Sequence, residues 1–400
     1  MTGQRKLALA AALAVAIVSL GVGQHALDAK ARVHAVQAPR FEVNPLWPKP
    51  LPNHWVLGNV IGVGVDANDH VFIVHRNDTF DARNEIGAAQ NPPLSECCVP
   101  APPVLEFDPD GNLVKAWGGP PEDKKYVWPS SNHGISVDNK NNIWIGGNGG
   151  GAGGAGGDSH ILKFTHDGKF LMQIGDPNQP TDSKSKTHFG RVAKVSFDFK
   201  ANEAFVADGY GNRRVAVLDM NDGKIKRFWG AYGEVPTDTA LPPYDPTQKQ
   251  PHFRNPVHCA DPSVDGLVYV CDRVNDRIQV FKPDGSFIKE VFIAKRTLGD
   301  GSVWDIAFSK DPQQKYIYLA DGANEKVYVM LRESLEILTS FGDGGRQPGQ
   351  FYAVHSIATD SKGNVYTTET YRGQRVQRFN YKGIAAVTKM DQGVVWPSKK

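Results

Sequence analysis

The chain has 400 residues, 40% hydrophobic and 22% charged, enough apolar material for a sizeable core and too much for a disordered chain. Its 45 basic and 43 acidic residues leave a net charge of +2, so no global field draws it to nucleic acid or anionic lipid, and both are excluded as expected partners. The 41 Gly and 27 Pro, about 17% of the chain against a usual 12% or so, announce many turns.

In chain order, residues 1–29 come first and differ from the rest. Arg5 and Lys6 precede an apolar, Ala-rich run from Leu7 to Val22, followed by small residues at Gly21, Gly23, Ala26 and Ala29. This is the layout of a cleaved secretory signal peptide, and the apolar run is short for a membrane span. A periplasmic or secreted protein is expected, with no membrane contact after cleavage and with cysteines free to pair. Residues 30–54 are read as an N-terminal segment containing a closing strand, 55–383 as one repetitive domain, and 384–400 as a C-terminal tail.

Within 55–383 one phrase recurs. It is an alternating apolar stretch, an acidic or polar turn, a second alternation, then a third strand and often a DG hairpin. Copies begin at Ile61, His133, Ala193, His258, Trp304 and His355. Fourth-strand candidates follow the first five copies at Leu113, Phe170, Lys224, Phe287 and Glu336. The sixth copy runs out of chain near Tyr381, so its outer strand is expected from the N-terminal segment, around Phe41 to Trp55. Short strands of period two, separated by Gly, Asp and Asn turns, indicate all-β structure. Four-stranded units repeated radially make a β-propeller, here with six blades and one domain, and a monomer is expected.

Aligning the copies shows what begins each innermost strand: Ile61, His133, Ala193, His258, Trp304 and His355. His stands in blades two, four and six, roughly 120° apart on a six-bladed ring. Three imidazoles converging at one depth, with a fourth position open, form the ligand set of a catalytic zinc (Zn). His75, His160, His166, His188 and His252 share no such register and carry the ordinary structural reading. The end of each second strand returns to the same face and offers Arg76, Asp208, Tyr210, Asp272, Arg273 and Asp321. A phenol and two guanidiniums beside a metal form a coherent set, because arginine forks bind carboxylates and a phenol near a cation can act as a base. Acidic residues at such strand ends also commonly serve as turn and salt-bridge residues.

Two long loops follow second strands, residues 77–103 and 146–159, and are expected to overhang the metal face. The second, GGNGGGAGGAGGDS, lacks the strand-to-helix context of a phosphate cradle and reads as a flexible lid or spacer. The first carries Cys97 and Cys98, candidates for a vicinal disulfide, for pairing elsewhere or for free thiols. Cys259 and Cys271 flank a turn near Val264 and could pair across a hairpin or stay as two buried thiols.

The repeated phrase resembles the NHL repeat family over about residues 55–383, which implies fold and little about function. The fragments HGISVD, VADGYGNRR, VHCADPSVDGLVYVCDRVNDRIQVF and VHSIATDSKGNVY more closely resemble the catalytic core of peptidyl-α-hydroxyglycine α-amidating lyases. That resemblance implies zinc on His133, His258 and His355, Tyr210 as base, and Arg76 and Arg273 as binders of a substrate carboxylate. The substrate class would be a small molecule or peptide bearing that carboxylate, cleaved at a C–N bond to an amide and glyoxylate. Two positions depart from the family. Ser356 stands where it has an Asp tied to a structural calcium (Ca), and Gly211 where it has a Cys. Alternatives are a calcium-dependent lactonase or esterase, which would use Glu, Asn and Asp around the axis, and a non-catalytic NHL propeller binding a peptide or glycan.

Overall fold

A computed structural model describes residues 36–150 and 157–397. The expected signal peptide at 1–29 and the centre of the Gly-rich loop lie outside the described residues. Six four-stranded antiparallel sheets form the molecule. Their innermost strands, Asn59–Val65, Asn132–Val137, Val192–Asp198, Val257–Pro262, Asp305–Phe308 and Val354–Thr359, pack side by side in sequence, and the last returns to the first. The chain is therefore a six-bladed β-propeller.

The repeated turn has a local cause. The acidic residue ending an innermost strand accepts backbone N–H bonds from the turn that follows it, an arrangement that fixes a tight hairpin without help from the core. Asp66 takes the N–H groups of Asn68 and His70, Asp138 those of Lys140 and Asn142, and Asp360 those of Lys362 and Asn364. The second carboxylate oxygen then holds the aromatic two residues further on: Trp144 donates to Asp138 and Tyr366 to Asp360. Apolar alternation places the core between neighbouring blades. Between blades five and six, for example, Phe41, Tyr318, Phe341, Phe351 and Phe379 are buried together.

The sixth blade is completed by Gln37–Asn44, paired antiparallel with the long strand Arg375–Ala386. This strand lies earlier than the expected Phe41–Trp55. Pro48, Pro50 and Pro52 cannot donate to a ladder, and the chain turns away after Asn44. Trp47 instead packs against Phe107 and Tyr366. The residues beyond Ala386 are stitched to blades five and six, with Val43 N–H bonded to the Val395 carbonyl and Gly342 N–H to that of Gly393. Among the described residues no helix is long and apolar enough to cross a membrane.

Antiparallel order puts the starts of all innermost strands, the ends of all second strands and all connections between blades on one face. The loop over 77–103 is on that face. It carries one helical turn, Ile86–Ala89, which sequence reasoning missed, and is tied down where Val99–Pro100 pairs in parallel with Trp55–Val56. Cys97 and Cys98 are joined to each other, and Cys259 to Cys271 at directly paired positions of the blade-four inner hairpin.

Candidate metal centre on the propeller axis

His133, His258 and His355 sit near the start of alternate innermost strands, and their ring centroids form a nearly equilateral triangle of 5.2, 4.9 and 4.8 Å. One nitrogen from each lies within 4.8 Å of the others, and all three side chains are buried. Backbone carbonyls of the next blade orient two of them. His133 Nδ1 bonds to the Ala193 carbonyl at 2.7 Å, and His258 Nδ1 to that of Trp304. A carbonyl only accepts, so both Nδ1 atoms carry the proton and both Nε2 atoms are bare lone pairs. His355 lies against the Ile61 backbone. Burial pushes all three imidazoles well below the usual histidine range. The Arg76 and Arg273 charges work in the same direction on His133, and Arg273 does so on the other two. Three neutral imidazoles are what a divalent ion requires.

Tyr210, just past the second strand of blade three, places its hydroxyl 2.9 Å from His133 Nε2 and 3.1 Å from His258 Nε2. One phenolic proton cannot satisfy two lone pairs. The donor set is short of a cation, and this deficit fits a metal ion held by the three His.

Arg273 donates to the Tyr210 hydroxyl at 3.3 Å and to Asp300 at 3.3 Å, and lies over the Trp304 ring at 4.5 Å. It is 6% exposed and its Nε has no hydrogen-bond partner. Arg76 is held by the Asn148 side chain at 2.7 Å and the Asn132 carbonyl. Burial lowers its pKa, with Tyr210 and Asp78 opposing. Both guanidiniums thus flank the His cluster.

The acidic strand ends have the structural role. Asp208 pairs with Arg214 and Asp272 with Arg277, each at 2.8 Å and fully buried, latching the second strand to the third. Asp321 holds Asn324. Sequence reasoning missed Asp300, Tyr371 and Asn148, and took Trp304 only as a register position. Tyr371 from blade six bonds to Asp300 at 2.9 Å, so an Arg273–Asp300–Tyr371 chain crosses the mouth. Asp300 and Tyr371 lie outside the strands whose alignment exposed the histidines.

Below the histidines on the same axis, Lys194 is buried between Asp305 at 2.7 Å and Asp261 at 3.0 Å. Burial works to lower its pKa, but the two carboxylates more than reverse this. Ser356, in the position where the resemblance has a calcium-linked Asp, donates its hydroxyl to Asp305 at 2.7 Å.

No family model matches the chain. It is 24% identical over 326 residues to peptidyl-glycine alpha-amidating monooxygenase B of Xenopus laevis, covering 79% of this chain and 33% of that protein. Against peptidylglycine alpha-amidating monooxygenase of Rattus norvegicus it is again 24% identical, covering 78% and 30%. The chain thus spans about a third of the length of these relatives. It is also 23% identical to NHL repeat-containing protein 3 of Mus musculus, covering 74% of this chain and 71% of that protein. A solved Bacteroides thetaiotaomicron protein of unknown function matches with TM-score 0.51 at 12% identity, covering 87% of this chain and 77% of that one, and supports the fold alone. The chain is thus a six-bladed β-propeller with a buried three-histidine group, and its relatives are amidating monooxygenases and an NHL repeat protein.

Proposed function

We propose that the protein is an exported zinc-dependent lyase. It would cleave the C–N bond of an N-acyl- or peptidyl-α-hydroxyglycine to an amide and glyoxylate. The observation that carries this reading is the Tyr210 hydroxyl shared between two bare imidazole nitrogens and bonded to Arg273. The similarity to the amidating monooxygenases supports it.

His133, His258 and His355 would hold the ion, which when bound supplies Lewis-acid chemistry that acidifies the substrate hydroxyl. Arg273 and Arg76 bind the substrate carboxylate, the Arg273 fork being held in place by Trp304 and a buried setting. Tyr210 would pass a proton on: its phenol oxygen receives the hydroxyl proton while its own proton goes to the leaving nitrogen. The electron pair released at oxygen forms the aldehyde of glyoxylate. The C–N bond breaks, and the amide nitrogen takes a proton as it leaves. The Arg273–Asp300–Tyr371 chain limits access of water to the mouth. The substrate is a carboxylate-bearing small molecule or peptide, taken by a monomer.

The test is release of glyoxylate from N-acyl-α-hydroxyglycines by the zinc-loaded protein. Tyr210→Phe is expected to lower kcat by about 10²-fold or more with metal content unchanged. Bound zinc with no glyoxylate from any acyl chain would overturn the lyase reading. It would favour the alternative of an NHL propeller that binds a peptide or glycan without catalysis.

A further inference from the structure

At the opposite face, between blades one and two, lies a second cluster that the lyase reading does not use. Asp66 ends the innermost strand of blade one and His70 closes its turn, while Glu106 is on the third strand of the same blade. His166 comes from the outer hairpin of blade two. His70 Nδ1 lies 2.6 Å and His166 Nε2 3.0 Å from the same oxygen, Glu106 Oε1. Ligand atoms of Asp66, His70 and His166 all lie within 4.8 Å of one another.

Glu106 is the anomaly. Its side chain is 0% exposed, and its ion-pair partners are these two imidazoles alone among the described residues. Its other oxygen, Oε2, is buried with no hydrogen-bond partner. A buried carboxylate is costly unless paired with positive charge and fully bonded, and an imidazole is a cation only when protonated. Two other fully buried carboxylates, Asp208 and Asp272, are each given an arginine. Here two nitrogens and a carboxylate oxygen meet at one point, with a second carboxylate within reach and no lysine or arginine among the described residues in an ion pair with Glu106. Asp66 is fixed by its own turn and by Asn141 of blade two, and the His166 ring by an edge contact with Phe72.

We infer that Glu106, His70, His166 and Asp66 form a second divalent transition-metal site, of the imidazole and carboxylate type that suits zinc. It staples blade one to blade two at the end of the ring remote from the axial histidines, and it does not depend on the lyase reading. His70 and His166 are partly exposed, 27% and 36%, so the ion enters from solvent.

The test is elemental analysis of the purified protein after incubation with zinc and desalting. The native chain is expected to retain about two zinc ions, and His133→Ala/His258→Ala/His355→Ala about one. In the axial variant zinc should raise Tm by several degrees, and adding His70→Gln/His166→Gln should abolish both the ion and the shift. Should the axial variant not fold, His70→Gln/His166→Gln in the otherwise native chain decides. Loss of one equivalent supports the site, and an unchanged zinc content overturns it. An axial variant that folds, retains no zinc and shows no Tm response also overturns it.

Discussion

Two stations on the propeller axis are built from innermost strands and treated oppositely. At the lower one the protein supplies its own cation: the Lys194 ammonium fills the space between Asp261 and Asp305, and Ser356 and Ser196 complete their bonding. At the upper one three imidazoles face each other with no cation of the chain among them and a single phenolic proton between two of their nitrogens. Elsewhere, His75 shows what a satisfied buried imidazole looks like. Its Nδ1 accepts from Gly58 N–H at 3.1 Å and its Nε2 donates to the Pro102 carbonyl at 3.0 Å. Burial alone therefore does not mark a ligand. Convergence of bare nitrogens on one point does.

The contrast can be broken most severely at its two ends. His258→Ala should lower glyoxylate release by about 10³-fold or more and remove the axial metal, while leaving the urea midpoint of the metal-free protein little changed. Lys194→Met should do the reverse. Leaving two buried carboxylates without their cation is expected to cost about 3–5 kcal/mol in urea unfolding, with part recovered by adding Asp305→Asn. Equal stability losses in the two variants would show that the stations are not differently built.

His75 sharpens the comparison through pH. Burial lowers its pKa to about 4 from the usual 6.5, so below pH 6.5 the unfolded chain binds a proton that the folded one refuses. Its contribution is full above that value and is lost as pH falls toward 4, amounting to about 3 kcal/mol. His75→Gln can keep both hydrogen bonds without titrating, and its stability should decline less across that window. An identical decline in both proteins would refute the assignment.

The smallest effect is expected at the mouth. Asp300 is half-exposed and occupies one arm of the Arg273 fork, and Tyr371, pushed up to about 12 by burial and by its bond to Asp300, remains the donor that steadies it. If Arg273 binds the substrate carboxylate, Asp300 competes with it. Asp300→Asn should then lower KM by about two- to fivefold with kcat nearly unchanged, and a raised KM would instead make Asp300 a support for the arginine.

These regions also differ in how far the sequence discloses them. The histidine triangle was legible because it falls on repeated strands: six aligned copies give each position a depth and a direction, so a pattern in alternate copies becomes a geometry. Tyr210, Arg76 and Arg273 were legible by the same register and by resemblance. Asp300 was not, because it lies in a connection between blades outside that register, and Tyr371 was overlooked although it stands two residues past a second strand, as Tyr210 does. Glu106, His70 and His166 were missed for another reason: they meet across a seam from different strands of two blades, where no register compares them. The closing strand was placed too late, around Phe41 to Trp55, where Pro48, Pro50 and Pro52 interrupt any ladder.

The pairing of Gln37–Asn44 with Arg375–Ala386 has a temporal consequence. The first strand of the ring has no partner until the last has been made, more than three hundred residues later. Contacts this distant in sequence are the slowest to form, and until they do the edge strand of blade six stays open to pairing with another chain. The order of events is thus written into the topology: five blades can assemble as the chain emerges, and the sixth must wait for its last strand.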